Sequence, residues 1–356
     1  MANQPFSQLP TGVWSIMSPV KGRAATAISL GVLSAFSSLT SLLTIPFIAA
    51  ELLSDTPAPG VVWRWVGLAL GLVVIAFTSR IFPFRVSHVG AFNLEVILRM
   101  ALADHLAQVP LGYVITTGSG AVKKLVQDDV KALHAFVADS VPHIGQVCTI
   151  PIISLIAVLI ADWRLGLVTL AILPVGLIFI KFALKDYEEQ RDAYDHASEK
   201  INGVIIEFVQ GMQVVRTFDD GSSSFARFQA ALDTFTQTLR DWNDKNRFAA
   251  RLGSLLFEPL PTLVVVSVVG SWLVSQGSLT IPRFLVFLLV APRLCGAFRP
   301  IFALAYMINQ ANAGAMRICT VLAEPALPQP SQPQQPADAS ISFNSVTFAY
   351  GDGKSA

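Results

Sequence analysis

Charge is what this chain has least of: 14% of its 356 residues are Asp, Glu, Lys or Arg, against about 25% in an ordinary soluble domain. With 53% hydrophobic residues and a mean hydropathy of +0.57, that scarcity argues against a water-soluble globular protein. An excess of either sign is also missing. Twenty-five basic residues against 24 acidic ones leave a formal net charge of +1, so no field exists to hold nucleic acid by counterion release. Cysteine is sparse as well. Cys148, Cys295 and Cys319 lie in apolar stretches without CxxC spacing, which fits small buried hydrophobes better than a disulfide framework or a zinc site.

What is abundant is long apolar runs. A hydrocarbon core about 30 Å thick takes about 20 apolar residues per spanning helix, and six windows of that kind occur: residues 24–50, 66–84, 142–160, 165–182, 252–274 and 284–306. The third and fourth flank the short polar turn Asp162-Trp163-Arg164, and the fifth and sixth flank Ser275-Gln-Gly-Ser-Leu-Thr280, so each pair reads as a hairpin. The first window is too long for a cleaved signal peptide and lacks a small-residue cleavage site.

Orientation follows from where the basic residues fall. The short loops 51–62, 161–164 and 275–283 hold only Arg164 and Arg283. The connection 85–138 holds Arg85, Arg99, Lys123, Lys124 and Lys131; the connection 185–251 holds nine, from Lys185 to Arg251. Both termini and both long connections are therefore expected to be cytoplasmic. Structureless stretches of that length are uncommon, and Val122, Leu125, Val126, Val130 and Leu133 recur at helical spacing, as do Ile201, Val204, Ile205, Phe208 and Met212. If each connection is two helical arms meeting at a turn, they reach roughly 40–50 Å below the membrane.

Composition changes after Leu322. Residues 324–338 form a Pro/Gln linker with nothing to bury, and residues 339–356 begin something else: Ile341-Ser-Phe-Asn-Ser-Val-Thr-Phe-Ala-Tyr350 alternates as a half-buried strand does. Gly353-Lys354-Ser355 imitates the end of a phosphate-binding loop, but the first glycine of that motif would fall at Phe348. It is not a P-loop.

Several strings resemble a known family in their order and spacing. Thr117-Gly118 followed by Val126-Gln-Asp-Asp-Val130 is similar to the first cytoplasmic connection of exporter-fold ABC transporters, and Asp162-Trp163-Arg164-Leu165 to their outer turn between spans three and four. Glu207-Phe-Val-Gln-Gly-Met-Gln-Val-Val-Arg-Thr-Phe218 resembles their second coupling helix, Gly277-Ser-Leu-Thr280 the turn before the sixth span, and Ala315-Met-Arg-Ile318 the end of that helix. The form of Glu207–Thr217 is similar to the branch of yersiniabactin- and mycobactin-type siderophore transporters.

The resemblance implies an all-α membrane domain over residues 21–323, behind an N-terminal cytoplasmic segment 1–20. Six transmembrane helices carry long cytoplasmic extensions and coupling helices, and the first β-strand of a nucleotide-binding domain follows. It implies a homologous half-transporter as partner in a homo- or heterodimer, a bacterial inner-membrane location, a small-molecule substrate, and ATP with Mg2+ bound only through an ATPase domain. The Walker segments of that domain are absent, so the chain is expected to be truncated and to hydrolyse no ATP alone. Tyr350 matches the family's adenine-stacking aromatic. Coupling is expected at Leu111–Thr117, with Tyr113 and Thr117, and at Glu207–Phe218, with Glu207, Gln210, Gly211 and Arg216. Gly118-Ser-Gly120 reads as a helix boundary with Ser119 as N-cap rather than as a phosphate site.

Charged groups inside a bilayer persist where they face a cavity or a partner. Arg80, His88, His143, Glu258, Arg293 and Arg299 are therefore the cavity candidates, and at least two are expected to line it. Arginines there would suit an anionic ferric–siderophore. The competing assignment has Arg80 and His88 snorkelling to the boundary and Glu258 pairing with a neighbouring arginine. Asp192, Asp195, His196 and Glu199 share a helical face but sit among other charges, so a solvated face is expected rather than a metal site. Two further functions compete with siderophore transport: export of a lipid, drug or peptide on the same architecture, and an integral membrane enzyme, for which no carboxylate–histidine set is gathered.

Overall fold

The computed structural model describes residues 11–212, 222–328, 338 and 340–347, and among these every regular element is helical. Helix α1 (Val13–Ile16) leads through one 3-10 turn into α2 (Lys21–Leu52), and α3 (Pro59–Leu106) returns. Helix α4 (Leu111–Thr117) then turns the chain into α5 (Ser119–Ala161). The second half comprises α6 (Trp163–Ala183), α7 (Tyr187–Gln210), α8 (Ser222–Leu256), α9 (Pro259–Ser275), α10 (Ile281–Gly296) and α11 (Phe298–Leu322). A bilayer offers backbone groups no water, so each spanning segment must pair its own N–H and C=O groups, as a helix does. Among the described residues five helices are long and apolar enough to cross, α10 and α11 counting together as one, and six if the bent α8–α9 pair is one span.

Length explains the projecting arms. Helix α3 has 48 residues and is about 70 Å long, more than twice the hydrocarbon thickness. Its outer half shows Leu70, Val74 and Phe77 to the surroundings, as a lipid-facing surface requires, while Leu94, Leu98 and Leu102 near its other end are buried. The turns are specified locally. Asp162 Oδ1 accepts hydrogen bonds from the N–H groups of Arg164 (2.9 Å) and Leu165 (3.3 Å), capping α6. Gly277 takes φ 68° in the turn before α10, a conformation open to glycine at little cost.

Two cores hold the bundle. One joins α1, the inner ends of α2, α3 and α5, and the last turns of α11, around Leu94, Leu133, Phe136 and Ile318. The other joins the outer hairpins around Val158, Leu165, Val266 and Phe287. Between them α2 crosses α5 with glycine against glycine. A Cβ on Gly145 would lie 2.3 Å from the Ile28 carbonyl oxygen, and one on Gly31 would lie 2.6 Å from that of Pro142. Helix α7 packs chiefly on α8, which packs in turn on α6.

The structure departs from the sequence expectations at several points. The fifth span is bent by 59° between Arg247–Leu256 and Pro259–Ser275, because a residue before proline avoids the helical region and Glu258 sits at φ −79°, ψ 156°. Gly118, at φ 78°, is the N-cap of α5, and Ser119 is already helical. Cys148 is exposed, whereas Cys295 and Cys319 are buried. No strand forms across residues 341–347, where Ile341, Phe343 and Val346 are exposed. A strand needs a ladder partner, and the described residues hold none.

Candidate functional site

Three sets of residues bear on function: a clamp between α5 and α11, a cavity between α3, α5 and α11, and the elements expected from the sequence to couple to a motor domain. The clamp begins with an irregularity in α5, where Lys124–Asp129 is π-helical. The wider turn inserts one residue and re-aims the side chains that follow. Asp129, 4% exposed, accepts two hydrogen bonds from Arg317 of α11, from Nε at 2.8 Å and Nη2 at 2.6 Å. Gly314 of α11 lies against it, where a Cβ would meet the Asp129 carbonyl oxygen at 3.4 Å, an ordinary contact distance. The carboxylate holds the Arg317 guanidinium further above its already high ordinary pKa, chiefly through that hydrogen bonding. One turn above, His134 Nδ1 lies 2.7 Å from Glu95 Oε2, and Arg99 completes the row at 2.8 Å from Glu95.

A cavity of about 560 Å³ opens between α3, α5 and the α10–α11 junction. Asp139, His143 and Gln146 form one wall, brought together because positions separated by four and three residues share a helical face. Phe84 of α3 closes one side, its ring edge-on to that of His143 at 5.3 Å between centroids. Ala303, Leu304 and Met307 of α11 form the apolar wall. The space exists at the break after Gly296, where Ala297 separates α10 from α11.

Of the six charged candidates, the structure brings only His143 to this cavity. His88 lies beside it, with Nε2 3.7 Å from Asp139 Oδ1. Arg80 is exposed on α3. Arg293 donates to Ser38 Oγ of α2 at 3.3 Å. Glu258 and Arg299 form an ion pair with each other across the two helix breaks, and Phe257 packs on Phe298 beside them with ring centroids 5.5 Å apart. Asp139, which sequence reasoning passed over, is the acid of the cavity. Its signal was a lone carboxylate one turn before His143 at the inner end of an apolar run.

Helix α4 is seven residues long, with Tyr113 and Thr117 half-buried. The Leu327 N–H donates to the Gln108 carbonyl oxygen at 2.7 Å, which ties the segment after α11 to the turn before α4. In the second connection Glu207 pairs with Arg227 of α8 at 2.9 Å, Gln210 is exposed, and the Gly211 N–H donates to the Glu207 carbonyl oxygen at 2.8 Å. Arg216 and Tyr350 lie outside the described residues. Among the described residues no strand leads into a glycine-rich loop. No metal-binding group of three or more His, Cys, Asp or Glu occurs among them either, and His196 and Glu199 are largely exposed.

Residues 24–298 match the family described as the ABC transporter transmembrane region. The mycobactin import ATP-binding/permease protein IrtA of Mycobacterium tuberculosis is 28% identical, over 99% of this chain and 42% of the relative. The mycobactin import ATP-binding/permease protein IrtB of Mycobacterium bovis is 24% identical over 88% of this chain and 54% of its own length. An ATP-dependent lipid A-core flippase of Pseudomonas syringae is 26% identical over 71% of this chain and 40% of the relative. The chain therefore spans about half or less of the length of these relatives.

Proposed function

The chain belongs to the ABC transporter transmembrane family, and from that premise we propose that it is the membrane half of an ATP-driven transporter of an iron–siderophore complex across a bacterial inner membrane. Similarity along 99% of the chain to a protein named for mycobactin import carries this reading. The partner is a homologous half-transporter, in a heterodimer as the resemblance to both IrtA and IrtB suggests. The α7–α8 arm, in which α7 packs on α8 and α8 packs also on α6, is the part that favours a second copy or homologue, since apolar side chains such as Ile206, Val209 and Phe248 are exposed on it.

Charge bias supports a cytoplasmic position for α4, α7 and α8 together with both termini. ATP and Mg2+ would be held by a nucleotide-binding domain, where Tyr350 would stack on the adenine and hydrolysis would supply the energy, and this chain's residues transmit the motion. Contact falls on α4, with Tyr113 and Thr117, and on the segment from Glu207 through Gln210 and Gly211 to Arg216. The clamp of Asp129 on Arg317 passes movement of α5 to α11 as one body, because a bidentate pair with one buried member resists shear.

A second reading, export of a lipid, rests on the similarity to the lipid A-core flippase. Transport separates the two. The full-length protein and its partner, reconstituted in vesicles with radiolabelled ferric mycobactin, are expected to accumulate label toward the nucleotide-binding side when ATP is present. Label no higher than in the ATP-free control, with ATP-dependent lipid movement in the same vesicles, establishes export instead.

A further inference from the structure

The cavity between α3, α5 and α11 has a chemistry that discriminates by charge, and we propose that it is a binding site for a cationic or hydrogen-bond-donating amphiphile and not for an anion. Its size, about 560 Å³, falls within the range of about 300–1,000 Å³ for small-molecule sites. Asp139 supplies a formal negative charge, His143 and Gln146 supply hydrogen-bonding groups, and no lysine or arginine lines it. The nearest group able to carry the opposite charge, His88 Nε2, stands 3.7 Å from Asp139. Of the arginines singled out as anion receptors, Arg293 lies on Ser38 and Arg299 on Glu258, and Arg80 is exposed on α3 outside the cavity lining.

Opposite this polar wall, Ala303, Leu304 and Met307 present only apolar surface, and Phe84 adds an aromatic face. A bound amphiphile lays its apolar body against α11 and turns its donor or cationic group to Asp139, whose carboxylate attracts a cation placed close to it. Phe84 adds to this, because a cation near an aromatic face is attracted to the ring. The assignment deepens the transporter reading and rests on it for one point only, that the ligand is cargo.

Tetraphenylphosphonium and tetraphenylborate share shape and apolar surface and carry opposite charge, so they isolate the charge preference. Binding of each to the purified chain in zwitterionic nanodiscs, after subtraction of empty nanodiscs, is expected to favour the phosphonium by at least about tenfold. Asp139→Asn is expected to remove most of that preference, Asp139→Arg to reverse it, and Leu304→Trp to abolish saturable binding. Equal affinity for the two probes overturns the proposal. So does phosphonium binding that survives Leu304→Trp, or that disappears when the homologous partner assembles on the chain, since the cavity is then filled by protein. These readings involve neither ATP nor siderophore. Failed transport of ferric mycobactin leaves them untouched, and a failed probe preference leaves the transport result standing.

Discussion

Gly145→Val is expected to destabilise the bundle severely. A Cβ at this position would lie 2.3 Å from the Ile28 carbonyl oxygen, 2.7 Å from the Val32 nitrogen and 3.0 Å from the Gly31 carbonyl carbon. All three are backbone atoms of α2, so no rotamer change relieves the clash and the helices must separate. Association in lipid draws on close van der Waals contact between small residues, and separation forfeits it along the whole crossing. Overpacking a core costs about 1–3 kcal/mol, and a rigid backbone contact puts this substitution at or beyond the upper end. Heating followed by size-exclusion chromatography should show loss of the monodisperse peak, or a fall in Tm of at least about 5 °C. Gly71→Val is the control, because a Cβ there meets nothing within 4 Å. Its Tm should match that of the parent.

Arg317→Ala is expected to be the next most damaging change. It strands Asp129, whose side chain is 5% exposed, as a buried carboxylate without its two donors. Breaking such a pair by removing one partner costs about 3–5 kcal/mol in a dry interior, and the half-exposed Arg317 side moderates this to about 2–3 kcal/mol. Arg317→Lys keeps the charge but lacks the planar fork that matches a carboxylate, so its stability should fall between those of Arg317→Ala and the parent. The double variant Asp129→Leu/Arg317→Met removes both charges together and should regain most of the lost Tm, because an apolar pair of similar volume replaces the ionic one. A double variant no more stable than Arg317→Ala would mean that the clamp is not what Arg317 contributes.

How much could be read beforehand depended on distance along the chain. Helical hairpins were legible because their signals are local: apolar runs broken at Asp162-Trp163-Arg164 and at Ser275–Thr280 force adjacent antiparallel helices. The bend in the fifth span had a visible cause in Glu258-Pro259, but hydropathy averages over it. Pairs such as Asp129 with Arg317, 188 residues apart, or Glu258 with Arg299, 41 apart, leave no trace in periodicity. The π-helical turns of α5 also shift the register from which a face would be inferred, and so Asp139 went unnoticed beside His143. Arginines drew attention as scarce charges in an apolar chain, yet packing directs Arg293 and Arg299 to protein partners rather than to the cavity.

Coupling of any kind requires α4 and the α7–α8 arm to hang on the cytoplasmic side. Single cysteines introduced as Ser119→Cys, at the start of α5, and Gln276→Cys, in the turn before α10, test that requirement once Cys148, Cys295 and Cys319 are replaced by serine. Both positions are exposed. A membrane-impermeant maleimide should label the first only in inside-out vesicles and the second only in right-side-out vesicles. Labelling in the opposite pattern would place the coupling elements outside the cell and contradict the lever mechanism at its root.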